Sequence, residues 1–342
     1  MSAEPPLSHA ALLRVLGSDY GLELDMVTFL PGGTAPAYRA EGPSGHFFVK
    51  VLPETAYGAE VKERISAEVP LLRALRESGV LPLVPSPLPT RSGNDLSRVE
   101  DYSLVVHEWI EASNLGADWT AALGELAPLL GRLHAGTEAI KAAVQRLPVP
   151  PEDFGLPFQE GLRRDLKLLR GSLPDARAGV RALRDLLLPY ENVLQLLLER
   201  AQSFQAAARS RPHSLVVCHT DAHGGNVMRD AAGALWIIDW ETARLAPPEH
   251  DLWMLHARLP EVLPAYEAAA GRSADLDPDV LGFYFCRRAL EDLALDVNMI
   301  LHQNTRPEQD EANLTVLERY VLPSVAQTEE ELARLLTALE GR

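Results

Sequence analysis

The chain has 342 residues, 46% of them hydrophobic, which is ordinary globular composition and enough length for two cored lobes. Its 48 acidic and 32 basic residues give a formal net charge of −16, which argues against nucleic acid or an anionic membrane surface as partner and is compatible with a cationic small molecule or with solubility alone. Two cysteines, Cys218 and Cys286, make no disulfide framework, and no basic leader or uncharged membrane-length run is present, so a reducing cytoplasm is the expected setting.

A helical pattern over 10–16 leads to Tyr20-Gly21, and alternation over 22–30 predicts a strand. Pro31-Gly32-Gly33-Thr34 predicts a turn, and a second strand follows near 37–40. Glycines there let backbone N–H groups approach phosphates, although most hairpin turns are only turns and G-x-G-x-x-G is absent. Residues 45–52 predict a third strand with Lys50 in its middle. Lysine is seldom buried without a partner, so Lys50 is either an edge lysine reaching solvent or a strand lysine that pairs with nucleotide phosphates. The second reading requires an acid from the next element, a helix predicted over 57–78. Glu60, Glu63 and Glu68 all lie in it.

A proline-rich linker over 82–89 precedes a strand-like run over 102–110. Alanine and leucine over 119–140 predict a helix in which His134 reads as a packed core histidine. A loop over 148–157, an amphipathic segment over 162–169 and a long helical stretch over 180–208 follow, the last broken or kinked at Pro189. From residue 280 onward the pattern is helical. Arg287 and Glu291, and Arg288 and Asp292, have the spacing of helix-surface salt bridges, and Asp292 and Asp296 are also four apart.

The stretch over 215–241 carries the chemistry. Two apolar runs, Leu215 to Cys218 and Leu235 to Ile238, read as buried strands, and the second ends in Asp239. A carboxylate directly after a buried strand is costly unless a partner neutralises it, and Mg²⁺ suits it. Phosphoryl transfer needs a carboxylate at the attacking hydroxyl and oxygen ligands for Mg²⁺ on the phosphates. His219-x-Asp221, with Asn226 five residues later and Asp239 on the next strand, has the spacing of that loop. A polar hairpin with unrelated acids is the plain alternative.

These residues resemble the aminoglycoside phosphotransferases and their small-molecule kinase relatives, such as choline and homoserine kinases. His219-Thr220-Asp221 and Asp239-Trp240-Glu241 carry the likeness, and the chain lacks the Arg and Phe-Gly that mark protein kinases at these places. Asp19-Tyr20-Gly21, Leu30-Pro31-Gly32-Gly33 and the helical stretch after 280 look like spectinomycin-type phosphotransferases in particular.

The resemblance implies an α+β, two-lobed, protein-kinase-like fold, with an antiparallel five-stranded sheet in the first lobe and a mostly helical second lobe. It implies a nucleotide-binding lobe over 1–110 and a catalytic and substrate lobe over 111–342. The implied cofactors are ATP and Mg²⁺. Asp221 becomes the catalytic carboxylate, and Asn226 and Asp239 the metal ligands. Lys50, oriented by Glu68, takes the phosphates, with Gly32 and Gly33 beside them. Hinge backbone groups at His107, Glu108 and Trp109 hold adenine. Glu241, Asp292 and Asp296 are candidate acceptor contacts, and Asp251 a structural brace. His223 is either a phosphate contact or a packed or capping histidine. The implied reaction is O-phosphorylation of an aminoglycoside or aminocyclitol antibiotic such as spectinomycin. The alternatives are a metabolic kinase for choline, homoserine or a ketosamine, and a non-catalytic nucleotide-binding relative. Intact Lys50, Asp221, Asn226 and Asp239 count against the last.

Overall fold

Side-chain alternation along one strand sets the architecture of the sheet. In β3 (Gly45–Pro53), Val49 and Val51 are buried in a core that includes Leu12 of α1 (His9–Val15). Leu52, on the opposite parity, packs with Val61, Ile65 and Val69 of α2 (Ala56–Glu77). Strand side chains alternate between faces with period two, so Phe48 and Lys50 share the Leu52 face. β3 pairs with β2 (Ala37–Gly42) and β6 (Tyr102–Glu108), and β1 (Met26–Leu30) and β4 (Pro87–Leu88) complete the order β1-β2-β3-β6-β4. All these pairings are antiparallel, and the short β5 (Ser97–Val99) adds a sixth strand on β6. The expected five-stranded antiparallel sheet is therefore present, extended by β5. Its β4 comes from the proline-rich stretch, which reads as a linker because two residues carry no period.

The computed structural model describes residues 4–32, 35–144, 146–171 and 176–340. They form two compact units, Met1–Pro151 with Val216–Leu245 and Ala265–Ser273, and Glu152–Leu215 with Ala246–Pro264 and Ala274–Arg342. Besides the sheet, the first unit holds α3 (Leu123–Ala135) and α4 (Thr137–Ala143), where a single helix was expected. Thr137 marks the break. The Thr137 hydroxyl donates to His134 O at 2.9 Å and accepts from Val217 N at 2.9 Å, so it fixes β8 (Val216–Cys218). His134 is buried, with Nδ1 at 2.9 Å from the Tyr266 hydroxyl, as a packed core histidine should be. β7 (Ala112–Asn114), β9 (Val227–Asp230) and β10 (Leu235–Ile237) make a second antiparallel sheet.

The second unit is helical. α5 (Gln159–Arg170) is followed by α6 (Ala178–Leu187), one 3₁₀ turn containing Pro189, and α7 (Glu191–Arg209), so the expected break falls at that proline. α8 (Glu249–Leu252) and the start of α9 (Leu259–Ala270) precede the long α10 (Pro278–Asn298). Asp277 caps α10 by accepting from Asp279 N and Val280 N, and Pro278 fills the first turn, where its missing N–H costs nothing. Leu194, Leu197, Leu198 and Ala201 of α7 share a core with Phe283, Leu290 and Leu293 of α10. α11 (Pro307–Val316) and α12 (Leu322–Glu340) close the unit.

One pair differs from its surface reading. Arg287 is 13% exposed and reaches buried Glu152 at 3.4 Å, with Glu291 at 3.8 Å. Burial alone would raise the Glu152 carboxyl, but His250 and Arg287 beside it hold it down at about 2. Among the described residues no helix is long and apolar enough to cross a membrane.

The entry into α2 is sterically tight. Thr55 caps it, its hydroxyl accepting from Gly58 N at 3.1 Å, and a methyl group on Gly58 would fall 1.6 Å from Pro53 O. Gly58→Ala should therefore lower unfolding free energy by about 1–3 kcal/mol, the usual cost of overpacking. Urea denaturation measures this, and an unchanged midpoint would contradict it.

Candidate active site

The loop between β8 and β9 is held from both ends. His219 is fully buried; its Nδ1 accepts from Asp221 N at 3.2 Å, which leaves Nε2–H to donate to Ile238 O at 2.9 Å. One imidazole thus ties Asp221 to the residue before Asp239, and its ring stands edge-on to Trp240 at 4.6 Å. Asn226 Nδ2 donates to Asp221 O at 2.9 Å and to Asp221 Oδ2 at 3.1 Å, and Ile238 N donates to Asn226 O at 2.9 Å. Asp221, Asn226 and Asp239 are brought together as their spacing predicts. Gly224 lets the loop approach Gly116, whose carbonyl oxygen would lie 2.0 Å from any Cβ there. His223 Nδ1 accepts from Gly225 N at 2.9 Å, and its Nε2 lies 3.6 Å from Asp221 Oδ2. The ring thus caps the loop and stands beside the carboxylate.

Lys50 lies opposite this loop, 12% exposed. Its Nζ is 3.1 Å from Glu241 Oε2 and 3.5 Å from Asp239 Oδ1. Burial lowers a lysine, but Glu68, Asp239 and Glu241 together raise Lys50 above its ordinary value and keep it charged. Glu68 is buried, and its Oε1 accepts from Trp240 N at 3.0 Å. No contact within 4 Å joins it to Lys50 among the described residues, although its charge is the first of those that raise the lysine. Its reach stops at the backbone of the segment after β10, and that segment supplies the pairing carboxylates. Burial pushes Glu68 up to about 7, opposed by Lys50. Of the rival acids, Glu63 is exposed, and the Glu60 side chain lies outside the described residues. Glu241, expected as an acceptor contact, is buried and also 3.6 Å from Arg64.

A cavity of about 1170 Å³, counted with the solvent at its mouth, opens beside these groups. Lys50, Glu68 and Asp239 line one part of it, and Phe48, His107 and Ile110 another. Gly32 lines it with φ +118, while Gly33 lies outside the described residues. The hinge positions expected to hold adenine, His107, Glu108 and Trp109, are the last two residues of β6 and the one after it. Glu108 N donates to Ser86 O at 2.9 Å and Trp109 N to His46 O at 3.1 Å, so neither N–H is open to a ligand. Ile110 N–H forms no hydrogen bond among the described residues, and Ile110 is a residue the sequence reading missed.

The sequence pattern of the Phosphotransferase enzyme family matches residues 26–284. The chain belongs to that family. It is accordingly a phosphotransferase acting on an alcohol group, and it has the family's kinase-like fold. Protein StrN of Streptomyces griseus is 29% identical over 269 residues, covering 74% of this chain and 75% of StrN. The crystal structure of spectinomycin phosphotransferase APH(9)-Ia, in complex with ADP and spectinomycin, superposes with a TM-score of 0.77 at 20% identity, covering 95% of this chain and 99% of that one. Choline kinase LicA from Streptococcus pneumoniae does so with a TM-score of 0.53 at 16% identity, covering 93% and 98%. At these identities the likeness to solved structures is one of fold.

Not every expected site residue lies in this phosphotransferase's loop and cavity. Asp292 and Asp296 are on α10 in the second unit. Asp292 pairs with Arg288 at 3.0 Å; Asp296 is buried and accepts from Asn313 Nδ2 at 2.6 Å. Phe48 and the clamp His219 were legible in principle. Phe48 shares the face of Lys50 by period two, and His219 precedes Asp221 by two in a loop too short to leave a buried ring idle.

If Glu241 is the partner that Lys50 depends on, Glu241→Gln should cost about 1–3 kcal/mol, the range for a charge-assisted bond to a buried group. Glu68→Gln keeps an acceptor for Trp240 N–H and should cost less. Chemical denaturation of both variants decides it; the reverse order would return the role to Glu68.

Proposed function

We propose that the chain transfers the γ-phosphoryl group of ATP, with Mg²⁺, to a hydroxyl of a cationic aminoglycoside or aminocyclitol such as spectinomycin. The observation that carries this reading is the loop that His219 and Asn226 lock around Asp221, against the strand ending in Asp239. Family membership and the ADP- and spectinomycin-bound fold relative support it. The net charge of −16 suits a cationic acceptor.

In this reading Asp221 accepts or orients the proton of the attacking hydroxyl, and its fixed position supplies the effective concentration that an open carboxylate lacks. Lys50 neutralises phosphate charge. Asn226 and Asp239 suit Mg²⁺, which takes oxygen ligands. Asn226 makes its bonds through Nδ2 and leaves Oδ1 without one among the described residues, and Asp239 is 38% exposed, with Oδ1 toward Lys50. Mg²⁺ bound there would screen the phosphate oxygens. Ile110 N–H and the neighbouring hinge carbonyls suit the base. Functionally, residues 1–110 hold the nucleotide and residues 111–342 supply the catalytic loop and acceptor contacts. A cytoplasmic setting fits Cys218 and Cys286, both buried and neither in a disulfide. Phosphorylating an aminocyclitol antibiotic would confer resistance to it.

The fold likeness to a choline kinase supports a second reading, a metabolic kinase for a small amino alcohol, through the same residues. ADP release measured over spectinomycin, other aminoglycosides, choline, homoserine and ketosamines separates the two. Turnover with an aminocyclitol is expected, and turnover with choline or homoserine alone would select the second reading. In the productive assay Asp221→Asn should lower kcat by about 10²–10⁴ and leave ADP affinity unchanged. Near-normal kcat would remove Asp221 from the role. For the metal, Asp239→Ala should abolish the gain in ADP affinity that Mg²⁺ gives the wild type. A gain of equal size in both proteins would contradict the assignment.

A further inference from the structure

His107 is the buried polar side chain in the cavity that the mechanism does not use. It is 5% exposed and lines the cavity, and its Nε2 has no hydrogen-bond partner among the described residues. A buried polar atom left unpaired is costly, and here the ring that carries it lines a cavity, which points to a ligand. Register fixes its direction. Phe48 pairs with His107 and Lys50 with Val105, so His107 stands on the face that carries Lys50, about 7 Å along the strand from it. The Phe48 ring stands 6.3 Å from it, and Met228, Ile238 and Ile110 are apolar residues of the same cavity wall. Burial, and then Lys50, lower His107 to about 3, so the ring is neutral at working pH. A neutral imidazole presents one lone pair and one N–H, and without a protein partner neither tautomer is imposed.

We infer that the His107 imidazole reads the purine base of the nucleotide at its C6 substituent, and that it accepts adenine and guanine alike. The ring offers its lone pair to a 6-amino group and its N–H to a 6-oxo group. A phosphate is the wrong ligand for it: the charged end of the cavity is at Lys50, and His107 lies at the apolar end beside the open N–H of Ile110. This inference rests on the nucleotide-binding reading above and adds a side-chain contact to it.

The test is calorimetric titration of the full chain with the Mg²⁺ complexes of ADP, GDP and purine riboside 5′-diphosphate, which lacks a C6 substituent. Wild type, His107→Leu and His107→Gln are compared, with thermal melting of each apoprotein. The wild type should bind ADP and GDP within about tenfold of one another. His107→Leu should weaken both by about threefold to tenfold, the span of one neutral hydrogen bond, and leave the unsubstituted purine unaffected. His107→Gln, whose amide also offers donor and acceptor, should restore most of the loss. Apoprotein melting of His107→Leu should hold or rise, because an unpaired nitrogen is removed; a purely structural histidine would instead lower it. Equal loss for all three nucleotides, no loss at all, or a wild-type preference for one base beyond about a hundredfold would overturn the inference. Failure of the wild type to bind any nucleotide would overturn the proposed function with it. ADP binding indifferent to His107→Leu would remove the inference alone.

Discussion

A lysine in the interior of a sheet is the constraint around which the first unit is arranged. An ammonium taken out of water is tolerated only when carboxylates stand close to it. For Lys50 these come from two elements distant in sequence, Glu68 on α2 and Asp239 and Glu241 after β10. The arrangement overshoots neutrality, with three carboxylates around one ammonium and, among the described residues, Arg64 near Glu241 to offset them. Burial pushes Glu68, the deepest of these carboxyls, up to about 7 against the pull of Lys50, and the neighbouring Asp239 and Glu241 add to the rise. A site with excess negative charge beside a cavity favours a bound cation, which agrees with the proposed Mg²⁺.

The same segment stores backbone strain. Thr220 and Asp239 both have positive φ, 75° and 64°, although neither is glycine. Each such residue costs on the order of 1–3 kcal/mol and persists only where its surroundings over-determine it. Here they do. The Thr220 hydroxyl donates to Thr242 O at 3.1 Å, His219 bridges to Ile238, and Glu68 holds Trp240 N–H. Asp221 and Asp239 thus sit beside the two strained positions or on them, clamped by buried side chains with no part in the proposed chemistry. Preorganisation of this kind lets positioning and electrostatics carry a phosphoryl transfer.

The parts of this arrangement that were legible in sequence are those governed by a period or a fixed spacing. Alternation located β3 and Lys50 within it, and the Asp221, Asn226 and Asp239 spacing located the loop. The proline break in the α6–α7 stretch followed from the missing N–H of Pro189. What escaped depends on side-chain reach between distant segments. Nothing local to Glu68 or Glu241 says which carboxylate meets Lys50, since the choice turns on how α2 lies against the segment after β10. The split between α3 and α4 escaped because Thr137 bonds to β8, a long-range contact. Ile110 escaped because the Glu108 and Trp109 N–H groups are taken by Ser86 and His46, which are distant in sequence.

The two carboxylates expected as acceptor contacts follow different physics. Two carboxylates on one face of α10 read as an open acidic patch, yet they have unequal surroundings. Asp296 is buried, its carboxyl raised by burial, and bonded to Asn313; an approaching ammonium would have to displace that amide from an already enclosed site. Asp292 is 42% exposed, and its partner is Arg288 four residues earlier on the same helix. An exposed pair of that spacing contributes only about 0.3–0.5 kcal/mol. Of the two expected contacts, Asp292 is the more exposed, and Asp296 is the one that bonds α10 to α11.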